Sequence, residues 1–302
     1  MLGPRVQRDR PLGPLTTYRV GGPATLFFEV GGEADLLAAH RAVAETAVPV
    51  LVVGRGSNLL VADAGFPGLA LALGPAYDGV TVHGTAARAG GATYLPVLAR
   101  RTAAGGMAGL EWAVGVPGSV GGGVRMNAGG HGSDIRAALV RAAVFDVADG
   151  TTRQVGPSDL ALAYRESSVS FTQVVLWAEL AGEAGDPSAS RARIDEIVRW
   201  RRQHQPGGAN AGSVFTNPEG DAAGRLVEAA GQRGRRLGSA QVSEKHANFI
   251  QADPGGSADD VVALIALLQE RVADHSGVWL EPELRLVGFP SIQPHVKDEV
   301  LP

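Results

Sequence analysis

The sequence predicts an α+β protein. Short apolar runs that read as strands alternate with a few stretches of helical spacing, and glycines punctuate the middle third. No repeat with a period of about 20–50 residues runs through the chain, which disfavours solenoids and propellers. Glycine fills 42 of 302 positions, roughly twice the usual share of about 7 %. It follows no Gly-X-Y period, and with 45 % apolar residues the chain is neither collagen nor low-complexity linker. The length fits one large or two ordinary domains with a substantial core.

The elements follow in order. Ala24–Val30 is a short apolar strand, and Glu33–Thr46 carries leucine and alanine at helical spacing behind an acidic first turn. Val48–Val53 reads as a buried strand, so the chain opens as a βαβ-like unit. Between Gly65 and Gly156 lie the short apolar segments Leu69–Leu73, Gly79–Val82 and Arg141–Val147, with one helix-like stretch, Tyr94–Ala104. Gly182–Ser190 (GEAGDPSAS) has little apolar content and reads as a linker. Beyond it, helices are predicted over Ser190–Gln205, Asp221–Ala230 and Ala258–Ala273, the last with Ser257 as N-cap and Asp260 in the capping-box position. Val278–Val287 closes as an alternating strand, in which Pro282 points to an edge.

Composition excludes several functions. Cysteine is absent, which removes disulfides, thiolate metal sites and a cysteine nucleophile. The seven histidines (40, 83, 131, 204, 246, 275 and 295) show no HxxxH or HxH spacing, so no metal is expected. Lys245 and Lys297 apart, every basic residue is arginine; with 27 basic and 31 acidic residues the net charge is −4. That balance predicts no nucleic-acid or anionic-membrane partner. The N-terminal segment MLGPRVQRDRPLGPL lacks an apolar h-region, and no apolar run approaches the roughly 20 residues of a membrane span. A cytoplasmic location is expected.

Two glycine loops carry the chemistry. Gly54-Arg55-Gly56-Ser57-Asn58 follows a strand but runs into LLVADAGFPG, whose Asp63, Gly65 and Pro67 break up the helix that a Rossmann dinucleotide site requires. Consecutive backbone N–H groups here form an anion nest, with Ser57 and Asn58 as side-chain donors. The second loop, Gly115 to Gly123 followed by Val124 to Gly130, brings backbone close to a flat or polyanionic ligand. Two such loops suit a dinucleotide whose pyrophosphate and ring system lie along different loops.

Seven strings in register then make the sequence resemble the UDP-N-acetylenolpyruvoylglucosamine reductase family: TTYRVGGPA (16–24), VGRGSNLLV, GLEWAVGVPGSVGGGVRMNAGGHG, AYRES, NAGSVFTNP, VSEKHANF and WLEPELR. The resemblance implies an FAD-binding module of the PCMH/vanillyl-alcohol-oxidase type over about 15–182, in two subdomains of about 15–70 and 71–182. It also implies a C-terminal α+β substrate domain over about 190–288, in the smaller subtype without an inserted loop that closes over substrate. The implied reaction uses NADPH to reduce FAD, and then reduces the enolpyruvyl ether of a UDP-sugar to a lactyl ether, in the monomeric protein.

The resemblance assigns FAD contacts to Gly54, Arg55, Gly56, Ser57, Asn58, Val114, Pro117, Gly118, Ser119, Gly121, Gly122, Asn127 and Gly129. It assigns catalysis to Arg165, Ser213 and Glu283. An arginine can hold a carboxylate bidentately as negative charge spreads into it, a hydroxyl can hand a proton to a carbanion-like centre, and a carboxylate can either stay protonated beside them or act through Ser213 or water. Tyr164, Asn217 and Arg225 are expected near substrate, and His246 is read as structural. The chain departs from the family pattern at Thr216 and His204, where relatives commonly carry lysine, and at Ser239 and Gly130-His131. Arg201, Arg225, Arg233 and Arg235 are candidates to compensate. A paralogous FAD reductase for another enolpyruvyl ether, and an FAD oxidase or binding protein of the same fold, are the other readings; the absence of cysteine weakens a covalently flavinylated oxidase.

Overall fold

In the computed structural model, residues 2–289 are described; His295 and Lys297 lie outside them. Seven α-helices occur in this range: α1 (Glu33–Thr46), α2 (Leu95–Ala104), α3 (Val120–Arg125), α4 (Ile135–Ala138), α5 (Pro187–His204), α6 (Ala223–Ala229) and α7 (Ala258–Ser276). The chain opens with a four-stranded sheet in the order Gln7–Pro11, Pro23–Val30, Phe66–Leu73, Val50–Val52. Pro23–Val30 and Val50–Val52 both run parallel to Phe66–Leu73, which lies between them, so the predicted βαβ-like unit has a later strand inserted at its centre.

A second, antiparallel sheet has the order Thr151–Val155, Leu139–Asp146, Gln173–Ala181, Ala86–Gly90, Val80–His83. Its two faces serve two cores, as strand alternation requires. Ala143, Phe145, Val174 and Leu176 pack with Phe28, Leu69, Leu71 and Leu36 of the first sheet and α1. Ala142, Val144, Val175, Ala178 and Leu180 pack against α2, α3 and α5. The register steps from Ala143↔Trp177 to Val144↔Val175, so Leu176 is an extra residue in its strand. That bulge lets Val175 share a face with Ala178 and Leu180.

The segment 182–190 is built into the fold. Glu183–Ala184 pairs with Met107–Ala108, and α5 begins at Pro187, capped by Asp186, three residues before the predicted start. Ile194 and Ile197 of α5 are buried in the core with α2.

The C-terminal part packs α6 and α7 against the sheet Arg236–Leu237, Ala240–Val242, Ile250–Ala252. Ser257 caps α7 by accepting from Asp260 N at 3.1 Å. The reciprocal half of a capping box does not form, because the Asp260 carboxylate accepts from Ser239 N and Oγ at 2.7 and 2.8 Å. The predicted strand 278–287 is regular only over Arg285–Val287, which pairs in parallel with Leu59–Val61 of the first module. Residues 281–283 meet 214–216 instead, through Thr216 N to Glu281 O and Glu283 N to Val214 O. The chain end thus joins the first glycine loop to the C-terminal part. Tyr18, Val20 and Leu60 lie in the C-terminal core.

Candidate active site

The glycine loops lean on each other. Ser57 Oγ donates to Pro117 O at 3.1 Å, and a Cβ on Gly118, at φ +123°, would come 2.8 Å from that same Oγ. Gly56 has φ +59°, and a Cβ there would stand 2.2 Å from Leu15 O; only glycine meets both demands without strain. Asn58 Nδ2 donates to Glu283 O at 3.0 Å, and Arg285 N donates to Asn58 O at 3.0 Å. Two side chains expected to face a ligand are therefore struts, one between the loops and one to the C-terminal strand. As predicted, no helix follows the first loop. The second loop does end in one: Val120–Arg125 is helical, with Ser119 Oγ accepting from Gly122 N at 3.3 Å.

These loops wall a cavity of about 680 Å3, which Arg165, Ser213 and Glu283 also line. Gly54 to Asn58, Pro117, Gly118, Ser119, Gly122 and Gly129 line it too. Gly121 instead lines an adjoining cavity of about 740 Å3.

Arg165 sits in a tight turn closed by reciprocal hydrogen bonds between Ala163 and Glu166, at 3.0 and 3.2 Å. Its φ of +59° places a bulky residue in the left-handed region, a strained setting of the kind found at functional sites. Its Nε meets Glu283 Oε1 at 3.1 Å, its Nη2 donates to Gly129 O at 2.9 Å, and its Cζ lies 4.9 Å from the Tyr164 ring centroid. Burial pushes the Glu283 carboxyl up from the ordinary range, against the pull of Arg165.

Ser213 follows Gly212, whose N–H donates to Asn210 Oδ1 at 3.1 Å. Beyond it, buried Asn248 holds Phe215 from both sides: Oδ1 accepts from Phe215 N at 3.0 Å, and Nδ2 donates to Phe215 O at 2.9 Å. The serine is thus placed by a fixed backbone. Among the described residues its own hydroxyl is left without a hydrogen-bond partner, free for a ligand.

Five residues expected at the ligands lie elsewhere. Val114 is buried in the core. Asn127, 1 % exposed, donates to Ala163 O at 2.8 Å and accepts from Arg136 N at 2.9 Å, so it straps down the turn that carries Arg165. Tyr164 is exposed and outside the cavity lining. Asn217 Oδ1 accepts from Ala223 N at 3.1 Å at the start of α6. Arg225 is held at the surface by Asp221. Thr216 Oγ1 donates to Glu281 O, and His204 stacks on Trp200, so neither faces the cavity. Of the candidate compensating arginines, Arg201 lines the cavity, whereas Arg233 pairs with Glu228.

Sequence reasoning missed Arg125, His131, Phe171, Trp200 and Arg285, all of which line the cavity. Arg125 and the flanking His131 stood within a string already singled out; Trp200 had no signal beyond helical spacing. Burial, then Arg201 and Arg193, push His131 down toward its neutral form. Arg55, Arg125, Arg165, Arg201 and Arg285 face a single carboxylate, Glu283. Such an excess of cations suits a ligand bearing several negative charges.

Residues 203–287 match the family model described as UDP-N-acetylenolpyruvoylglucosamine reductase, C-terminal domain, and residues 24–156 match that of an FAD binding domain. The chain is 42 % identical over 291 residues to the UDP-N-acetylenolpyruvoylglucosamine reductase of Rubrobacter xylanophilus, covering 96 % of this chain and 97 % of that protein. It is 41 % identical to the enzyme of that name from Paramagnetospirillum magneticum, over 95 % of this chain and 94 % of that one. It is also similar to the crystal structure of UDP-N-acetylenolpyruvylglucosamine reductase from Thermus caldophilus, with a TM-score of 0.82 and 34 % identity over 94 % of this chain and 99 % of that one.

Proposed function

The chain belongs to the UDP-N-acetylenolpyruvoylglucosamine reductase family, and on that premise we propose that Arg165, Ser213 and Glu283 carry its reaction. The protein is an FAD-dependent, NADPH-using oxidoreductase that converts UDP-N-acetylenolpyruvoylglucosamine to UDP-N-acetylmuramate in peptidoglycan precursor synthesis. The observation that carries the residue assignment is the Arg165–Glu283 ion pair, which shares one cavity with Ser213 and both glycine loops.

The residues present fit FAD. The adjoining cavities fall in the range of about 300–1,000 Å3 usual for ligands, and Thr17 Oγ1 and Arg285 Nε, on residues that line them, are buried without partners. Gly54 to Asn58, Pro117 to Ser119, Gly121, Gly122 and Gly129 would hold it, and when bound it supplies the hydride chemistry.

Arg165 uses one N–H on Glu283 and one on Gly129 O, and its remaining donors can grip the substrate carboxylate. As that carboxylate takes on charge, the fixed guanidinium stabilises it more than it stabilises the resting ether. Ser213 Oγ donates the proton to the carbon that bears the ether oxygen and carboxylate. Glu283, which burial makes a weaker acid than an ordinary glutamate against the pull of Arg165, relays a proton back to Ser213 and fixes the angle of Arg165.

We place the FAD-binding module at 15–182 and the substrate domain at 190–288, with Arg201 taking the diphosphate grip that Thr216 and His204 do not supply. The expected setting is a cytoplasmic monomer serving cell shape and division, without nucleic-acid or membrane partners; among the described residues no helix is long and apolar enough to cross a membrane. The test is to mix the purified yellow protein with NADPH and UDP-N-acetylenolpyruvoylglucosamine and follow NADPH absorbance. Substrate-dependent consumption is expected. Flavin reduction by NADPH without reoxidation by this substrate would favour a paralogous reductase.

A further inference from the structure

The two cavities share a wall that includes Thr17, Gly54, Arg55, Ser119, Gly122 and Arg125. Arg125, the last residue of α3, is half-buried. Among the described residues its guanidinium has no hydrogen-bond or ion-pair partner, and its Cζ stands 4.6 Å from the Phe171 ring centroid. Burial and the nearby charge of Arg285 both work against its cationic form. Thr17 Oγ1 is buried at the same wall without a partner, while its backbone N–H is committed to Gly56 O at 3.1 Å. A partly desolvated cation beside a second cation, with no ion-pair partner among the described residues, is unfavourable until an anion meets it.

FAD has a ring system at each end and its charge in the middle. Two cavities of similar volume, one on each side of a common wall, match that order. We propose that the dinucleotide threads both cavities, so that its diphosphate crosses the shared wall, where Arg125 supplies the counter-charge and Thr17 Oγ1 a hydrogen bond. This deepens the flavoenzyme reading and rests on it. Arg125 closes the helix that the second glycine loop forms, and it adds a formal charge where the backbone N–H groups of the loops contribute only dipoles.

The experiment measures FAD release from the holoenzyme on dilution, by flavin fluorescence, and displacement of FAD by ADP, which carries the diphosphate without the flavin. Removing one charge-assisted hydrogen bond from a buried setting corresponds to roughly tenfold to a hundredfold in affinity. Arg125→Met should weaken FAD and ADP by about that factor, Arg125→Lys should recover most of the loss, and Thr17→Val should weaken both more mildly. Unfolding midpoints of the FAD-free proteins check folding; if Arg125→Met does not fold, Arg125→Lys and Thr17→Val carry the comparison. Unchanged FAD release overturns the proposal, as does a loss for FAD with none for ADP, which would put Arg125 at the flavin ring. Wild-type protein that retains no FAD would instead overturn the flavoenzyme reading.

Discussion

Arg165 Nε and Glu283 Oε1 stand 3.1 Å apart, joining a strained turn at 163–166 to a chain segment more than a hundred residues later. Each residue is about four-fifths shielded from solvent. The pair is fixed from both sides: Asn127 and Gly129 O hold the turn, while Asn58 Nδ2 and Val214 O hold the backbone of Glu283. A guanidinium so held keeps its orientation before substrate arrives, which is the condition for electrostatic preorganisation.

Glu283 sets a pH dependence whose sign follows from its raised pKa. The folded protein holds this proton to higher pH than the unfolded chain does, so supply of the proton fades as pH rises through the raised value. Substrate-dependent flavin reoxidation should therefore slow with rising pH in the wild type. Glu283→Gln should be slower by about a hundredfold or more and lose that limb of the profile. An unaltered limb in the variant would move the titration to another group.

Ser213 acts after flavin reduction in this scheme. Ser213→Ala should be reduced by NADPH at the wild-type rate in a stopped-flow experiment, yet be reoxidised by substrate about 10²–10⁴-fold more slowly. Normal reoxidation would remove the proton-donor assignment.

The helices were the most legible part of the fold. Glu33–Thr46 and the start of α7 agree with their predicted bounds, because spacing and caps are local signals. The strand insertion at Phe66–Leu73, the Leu176 bulge and the return of Arg285–Val287 to Leu59–Val61 depend on distant partners, and no local pattern encodes them. The site divides in the same way. Motif strings brought Arg165, Ser213 and Glu283 to one cavity. Asn217 and Asn127 stood in such strings too, but spend their amides on backbone. Trp200 and Arg201 reach the cavity only because α5 packs across the second sheet's helix layer.

Arg201 and Arg225 separate the candidate compensating arginines. Arg201 lines the cavity, desolvated, with Gln205 Oε1 at 2.7 Å; Arg225 lies outside it in an exposed pair with Asp221. Arg201→Ala should raise KM for the UDP-sugar about tenfold or more, and Arg225→Ala should change it by less than about twofold. Steady-state kinetics at saturating NADPH distinguishes them, and the reverse ranking would place the diphosphate near α6.

Asp63, read in the sequence only as a helix breaker, ties the first module to α7. Its carboxylate accepts from Ser257 Oγ at 2.5 Å, Ala258 N at 3.0 Å and Asp259 N at 3.3 Å. It therefore satisfies N–H groups that the helix cannot satisfy itself, and puts negative charge at the positive end of the dipole. Ser257 caps the same turn through Asp260 N, so the helix keeps one cap when Asp63 is removed. Asp63→Ala should cost about 1–2 kcal/mol, and Asp63→Asn, which keeps an acceptor without the charge, should cost less. Urea denaturation followed by circular dichroism measures both. Since α7 carries much of the C-terminal core through Leu264, Ile265 and Leu268, the substitution should lower the unfolding midpoint; an unshifted midpoint would mean that solvent replaces Asp63 at no cost.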